Sequence, residues 1–236
     1  MVQNNLICVH HGTLYGPEYV LNLWRGARKN TRRGFDFYVF TDNVAQHPNN
    51  LGWHFVKLPN WQVSGLKPWW YKLEIFSQQY QLEGNNLYLD LDTVIVSNID
   101  EFWNYYPDEF RICHDFNRAF SPKINLSNSS VMGWNSDSMS WLYKIYVENM
   151  QHTVHKYRGD QDFIHAETQN KKQRWWPEQW AKSWKWEVKH GGKTESTGQY
   201  QDYSTPYIIN SDTKIVVCHG KPDPHEIPEL DHFWNK

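Results

Sequence analysis

The chain has 236 residues and a formal net charge of -2, with an isoelectric point near 6.6. That balance excludes bulk attraction to nucleic acid or to an anionic membrane, and no apolar run approaches the ~20 residues of an integral membrane segment. The length suits one sizeable core, so residues 1–236 are expected to form a single domain, with the oligomeric state left open.

In chain order, "NLICVHH" (5–11) predicts a first strand ended by Gly12. "GPEYVLNLWRGARKN" (16–30) predicts a helix, with Pro17 in its first turn and Tyr19, Leu23 and Ala27 at helical spacing. "FDFYVFTDN" (35–43) and "WHFVKLP" (53–59) read as further strands, and "KPWWYKLEIFSQQY" (67–80) as a second helix begun by Pro68. "LYLDLDTVIVSN" (87–98) reads as one buried strand, followed by a short capped helix in "NIDEFW" (98–103). "EFRICHDF" (109–116) and "NSSVMGWN" (128–135) are strands, and "SDSMSWLYKIYVENM" (136–150) is a helix capped by Ser136. "GDQDFIHAE" (159–167) opens another helix, "QRWWPEQWAKSWKWEVKH" (173–190) has no clean period, and "TKIVVCHG" (213–220) is the last strand. Strands alternating with helices predict an α/β fold around a mostly parallel sheet.

Cys8, Cys113 and Cys218 are scattered and form no CxxC spacing. The start "MVQNNLICVHHG" has neither a basic nor an apolar signal region. Reduced thiols and a cytoplasmic location are therefore expected. Aromatic content of 17%, with 14 Trp and 14 Tyr, is high for a mean hydropathy of -0.79, and some of those rings are expected to face a ligand.

Two carboxylates in an apolar strand need neutralising, because an unpaired buried charge is costly. Residues i and i+2 of a strand share a face, so Asp90 and Asp92 are expected to project together while Leu91 packs behind them. Such a pair is a hard-oxygen site for a divalent cation. The plainer alternative is a strand end, with Asp92 capping a turn and Asp90 paired to a lysine.

The order of these motifs resembles the nucleotide-sugar glycosyltransferases of the GT-A (Rossmann-like) fold, especially the glycogenin-like and lipopolysaccharide galactosyltransferase group. "YLDLDTV" is similar to that group's "YLDxDxxV", "NSSVMGWN" to its "NSGVMxxN", "GDQDFI" to its "DQDxxN", and "CHGKPDP" to its terminal "HxxGxxKPW". "KPWWYKLEIF" resembles its helix whose basic residue, here Lys72 or Lys67, approaches the diphosphate. The likeness spans residues 5 to 222.

The resemblance implies a metal-dependent transferase that moves a sugar from a nucleoside diphosphate, with UDP the usual carrier, to a carbohydrate or other hydroxyl acceptor. It implies metal ligation by Asp90, Asp92 and His219. It places Val9, His10, Lys72, Asp90, Leu91, Asp92 and Lys221 against the nucleotide sugar, and gives Asp160 and Gln161 to the donor sugar at the catalytic centre. Imidazole in that set favours Mn²⁺, with Mg²⁺ the alternative. Packing is expected for most of the five tryptophans in the 173–190 stretch, though the flat faces of Trp175, Trp176 and Trp180 also suit stacking on an acceptor sugar.

The chain departs from the pattern in its shorter His219–Lys221 spacing, in Ser130 where glycine is usual, and in Asp223 where tryptophan is usual. Three rivals share parts of the signal. A haloacid-dehalogenase-like phosphatase would use Asp90 as nucleophile and Asp92 as acid/base beside Mg²⁺, but usually carries that motif near its N-terminus. A carbohydrate-binding module would explain the tryptophans and leave the aspartates without purpose. A nucleotidyltransferase should open on a cationic Gly-rich loop, which "VHHGTLYG" is not.

Overall fold

The first strand, β1 (Asn4–His10), runs straight into the tight turn at Gly12, whose φ of 73° suits glycine. The structure is a computed structural model that describes residues 2–119, 121–171, 173–188 and 209–234. Helix α1 (Pro17–Lys29) follows with Pro17 at its first position, a place where the missing proline N–H costs nothing. Strands β2 (Asp36–Thr41) and β3 (His54–Lys57) then add in parallel to β1.

Two expectations change in the next stretch. Residues Pro68–Phe76 wind as 3-10 turns rather than an α-helix. Every side chain from Trp70 to Phe76 is buried, so this piece has no solvent face to define an amphipathic helix. The run 87–96 is also not one strand. It divides into β4 (Asn85–Leu89) and β5 (Thr93–Ile95), and a turn at residues 90–92 separates them. The Thr93 amide and hydroxyl both donate to the Asp90 carbonyl, at 3.3 and 2.7 Å, which tips the chain out of the sheet.

Helix α2 (Asp100–Asn104), β6 (Phe110–His114) and β7 (Ser127–Asn135) come next. The helix expected from Ser136 begins instead at Ser140, as α3 (Ser140–Glu148), and a separate α4 (Met150–Lys156) follows. Ser136 does not cap it. Its amide donates to the Gly84 carbonyl and its Oγ accepts from the Gly84 amide, tying the end of β7 to the start of β4. Helix α5 (Asp160–Thr168) forms as expected.

The aperiodic Trp-rich stretch contains β8 (Gln173–Trp175), β9 (Ala181–Ser183) and a π-helical turn at Trp184–Val188; residues 189 and 190 lie outside the described residues. The last strand is β10 (Ile215–Val217), and α6 (Asp231–Trp234) closes the described chain.

The strands form a seven-stranded sheet in the order β3-β2-β1-β4-β7-β6-β8, and a small sheet in the order β5-β10-β9. In the large sheet β7 runs against both neighbours, and the other pairings are parallel. Alternate residues feed two apolar clusters, as the two-residue period of a strand requires. Leu6, Cys8, Leu87 and Leu89 meet α1, α2 and the small sheet on one face, while Ile7, Tyr88 and Met132 meet the 68–76 segment, α3 and α5 on the other. β2 and β3 extend from one side of β1 and β4 from the other, so the order reverses at the β1–β4 pair. In open α/β sheets, ligands bind in the crevice beyond the strand ends at such a reversal.

Candidate active site

A pocket of about 240 Å³ occupies that crevice, lined by the end of β1, the 12–15 loop, the 68–72 turn and residues 88–92. Val9, His10, Lys72, Asp90, Leu91 and Asp92 all face it, so six of the residues singled out from sequence come together. The aspartates meet there from a turn rather than from one strand face.

Asp90 sits just past β4, where its amide donates to the Ser130 carbonyl at 2.9 Å. Its carboxylate accepts from the Tyr88 hydroxyl at 2.6 Å and pairs with the Lys72 ammonium at 2.9 Å. Lys72 also reaches Asp160 at 3.1 Å and Ser129 Oγ at 3.0 Å, and Ser129 in turn donates to Asp160 at 2.8 Å. Burial pulls the Lys72 ammonium toward lower pKa, but Asp160 and Asp90 outweigh it and hold the group above the ordinary lysine value. Lys72 is therefore a cation fixed between two carboxylates.

Asp92 is buried, and only one of its oxygens is satisfied by the protein. Tyr15 donates to Oδ2 at 3.2 Å, while Oδ1 is buried without a hydrogen-bond partner. Burial first, and then the charge of Asp90, push its carboxyl up to about 7. An orphaned carboxylate oxygen beside a second carboxylate is a fit for a divalent cation, which would supply what Oδ1 lacks. Asp90, Asp92 and Asp160 against the Lys72 ammonium leave an excess of negative charge that such a cation would offset.

Asp160 begins α5, and Gln161 beside it is held at both ends of its amide. Asn128 donates to its Oε1 at 2.9 Å, and its Nε2 donates to Asp115 at 3.0 Å. Two residues expected near the phosphates and metal are placed differently. His219 shares a 2.8 Å hydrogen bond through Nε2 with Ser183 Oγ, and its ring stacks on Phe116. Burial, then the charge of Lys185, push its pKa down to about 3, so it is neutral.

Among the described residues, the grouping of three with ligand atoms within 4.8 Å of one another is Asp223, His225 and Glu226, not Asp90, Asp92 and His219. Lys221 is exposed and turned onto that acidic group, ion-paired to Asp223 and, at 3.4 Å, to Glu226. Lys67 is exposed at the start of the 68–76 segment and is not among the pocket residues.

Packing, expected for most tryptophans of the 173–190 stretch, engages Trp175, Trp176 and Trp180. Trp176 is 2% exposed, donates to the Val131 carbonyl at 3.1 Å and packs edge-on against Phe102. Trp180 packs on Phe102 and Tyr105, and Trp175 stacks on His114 with ring centroids 4.0 Å apart. A different tryptophan reaches the pocket: Trp69, 46% exposed, lies at its mouth with Leu14. His10 spends its ring nitrogens on His47 and the Tyr15 carbonyl, while His11 stacks on Tyr71.

Tyr88, Asp115 and Tyr15 were not singled out from sequence, and Ser129 only as a position of the "NSSVMGWN" motif. Tyr88 had a signal, being two residues before Asp90 and so on its face of the strand. Tyr15 had none, since a loop brings it to Asp92 across 77 positions of chain.

Structural comparison places the fold. The chain superposes on an active-site mutant of LgtC with a TM-score of 0.63 at 10% identity, covering 97% of this chain and 93% of that one. The fold is that of the GT-A glycosyltransferases.

The galactosyltransferase LgtC in complex with donor and acceptor sugar analogs matches at a TM-score of 0.57 and 11% identity, over 93% of this chain and 88% of that chain. The glycosyltransferase GlyE of Streptococcus pneumoniae matches at 0.67 and 11% identity, over 94% of this chain and 56% of GlyE. No family model matches the chain, and no curated protein matches it in sequence. No helix among the described residues is long and apolar enough to cross a membrane.

Proposed function

We propose that this chain is a glycosyltransferase that takes a sugar from a nucleoside diphosphate, UDP first among the carriers, and moves it to a carbohydrate hydroxyl. The observation that carries this is the buried Asp92, with one orphaned oxygen and a second carboxylate beside it, in the crevice where this sheet reverses order. Asp90 and Asp92 would hold the divalent cation, and the cation would stabilise the charge that grows on the departing diphosphate. Lys72 would hold Asp90 and Asp160 in fixed directions, one toward the cation and the other toward the donor sugar. Gln161, fixed by Asn128 and Asp115, would present its remaining hydrogen-bonding capacity to the sugar beside Asp160. The acceptor would approach the mouth of the pocket, where Trp69 offers an aromatic face.

With His219 engaged by Ser183, the donor set on hand is two carboxylates, which suits Mg²⁺ as well as Mn²⁺. The test is a panel of nucleotide sugars, scored by thermal stabilisation and by release of nucleoside diphosphate, with Mn²⁺, with Mg²⁺ and with EDTA. A true donor raises the melting temperature by mass action even when turnover is slow. Activity and stabilisation should vanish in EDTA and in Asp92→Ala; a variant that retains both would refute the reading.

A further inference from the structure

A diphosphate needs positive charge beyond one cation, and the lysines expected to supply it are committed elsewhere. Lys72 is fixed between Asp90 and Asp160, and Lys221 is turned onto Asp223 and Glu226. A third lysine lies against the segment that follows β10. Lys185, in the Trp184–Val188 turn, is half-buried, and its Nζ lies 3.2 Å from where a Cβ on Gly220 would be. It also lies 5.4 Å from the ring of Trp186, which meets His219 edge-on at 4.5 Å. Gly220 is two residues past Cys218, whose amide donates to the Asp92 carbonyl at 2.9 Å. The ammonium thus lies beside the segment whose Cys218 amide bonds Asp92; burial lowers its pKa, the Asp92 charge opposes that shift, and among the described residues it has no ion-pair partner.

We infer that Lys185 is the residue that meets the diphosphate of the donor, in the place the sequence motif assigned to Lys221. The inference rests on the nucleotide-sugar reading above and deepens it. A lysine pinned by two carboxylates must break those pairs before it can serve a phosphate, whereas Lys185 meets no carboxylate among the described residues. The Lys185 ammonium lies over Gly220, where any added Cβ would come within 3.2 Å of it. Its neighbours hold the turn in place. Glu187 accepts from the Ser183 amide at 2.9 Å and pairs with Arg118 at 2.9 Å and Lys182 at 3.2 Å, so residues 182–187 are tied to the large sheet's side of the molecule.

The experiment is calorimetric titration of UDP and of uridine, in Mn²⁺, into the wild-type chain and into Lys185→Gln, Lys185→Arg and Lys221→Gln, with circular dichroism to confirm folding. Loss of one charge-assisted contact should weaken UDP roughly tenfold or more in Lys185→Gln. Uridine affinity should stay unchanged, Lys185→Arg should recover most of the loss, and Lys221→Gln should stay within about twofold of wild type. Equal UDP affinity in wild type and Lys185→Gln, or a loss confined to Lys221→Gln, overturns the inference while leaving the nucleotide-sugar reading intact. A wild-type chain that binds no nucleoside diphosphate in Mn²⁺ overturns both.

Discussion

Replacing Asp92 with Asn separates charge from shape at the centre of the pocket. Burial and then Asp90 move the Asp92 carboxyl from 3.8 up to about 7, so the ionised form is penalised in the folded chain by on the order of a few kcal/mol. Because the folded-state value is the higher one, the unfolded chain gives up this proton first. Stability from the group is complete below pH 3.8 and is lost progressively as pH rises toward 7. At pH 8 without metal, wild type therefore carries the full penalty of an ionised, buried Asp92.

Asn carries no such charge, though its amide would place a donor where Oδ1 now lies unpartnered, at a cost of about 1–3 kcal/mol. Metal-free Asp92→Asn should thus be more stable than wild type at pH 8 by roughly 1–3 kcal/mol, with the gap closing or reversing at pH 4. Urea unfolding followed by circular dichroism across that range, in EDTA and then in MnCl₂, measures it. Added Mn²⁺ should stabilise wild type at pH 8 and leave Asp92→Asn unmoved. A difference between the two proteins that does not change with pH would refute the reasoning, since Asp92 would then titrate alike in the folded and unfolded chains.

Two further changes probe the packing behind the site. Trp176→Ala removes a ring that is 2% exposed and hydrogen-bonded to Val131, so thermal unfolding should show a loss of about 3–5 kcal/mol, with acceptor preference unchanged in the folded protein. Gly133→Ala would put a methyl group 2.8 Å from Trp176 Cζ2 and 2.9 Å from Arg111 Nη2, against a ring that cannot retreat. A lowered melting temperature, equivalent to about 1–3 kcal/mol, is expected, and an unchanged one would mean that this face of the sheet can relax.

Much of this architecture follows from local pattern. The apolar runs of β1, β2 and β7 and the proline at the head of α1 are properties of a few neighbouring residues, and the structure forms each where the pattern puts it. Asp90 and Asp92 had to be near each other because two positions of chain allow nothing else. The motif order carried the fold because strand succession and short connections restrict the topology.

The tertiary structure decided where side chains spend their polar groups. The turn at 90–92 depends on Thr93 bonding back to the Asp90 carbonyl, and on β5 leaving to pair with β10, over 100 residues later. His219 faces Ser183, Lys72 joins Asp90 to Asp160, and Trp176 closes over Gly133, all through contacts between distant parts of the chain. Periodicity reports which face of its own element a residue occupies. It carries no information about which partner, brought there by folding, has already taken that residue's hydrogen bond or charge, as Asp90 and Asp160 have taken the charge of Lys72.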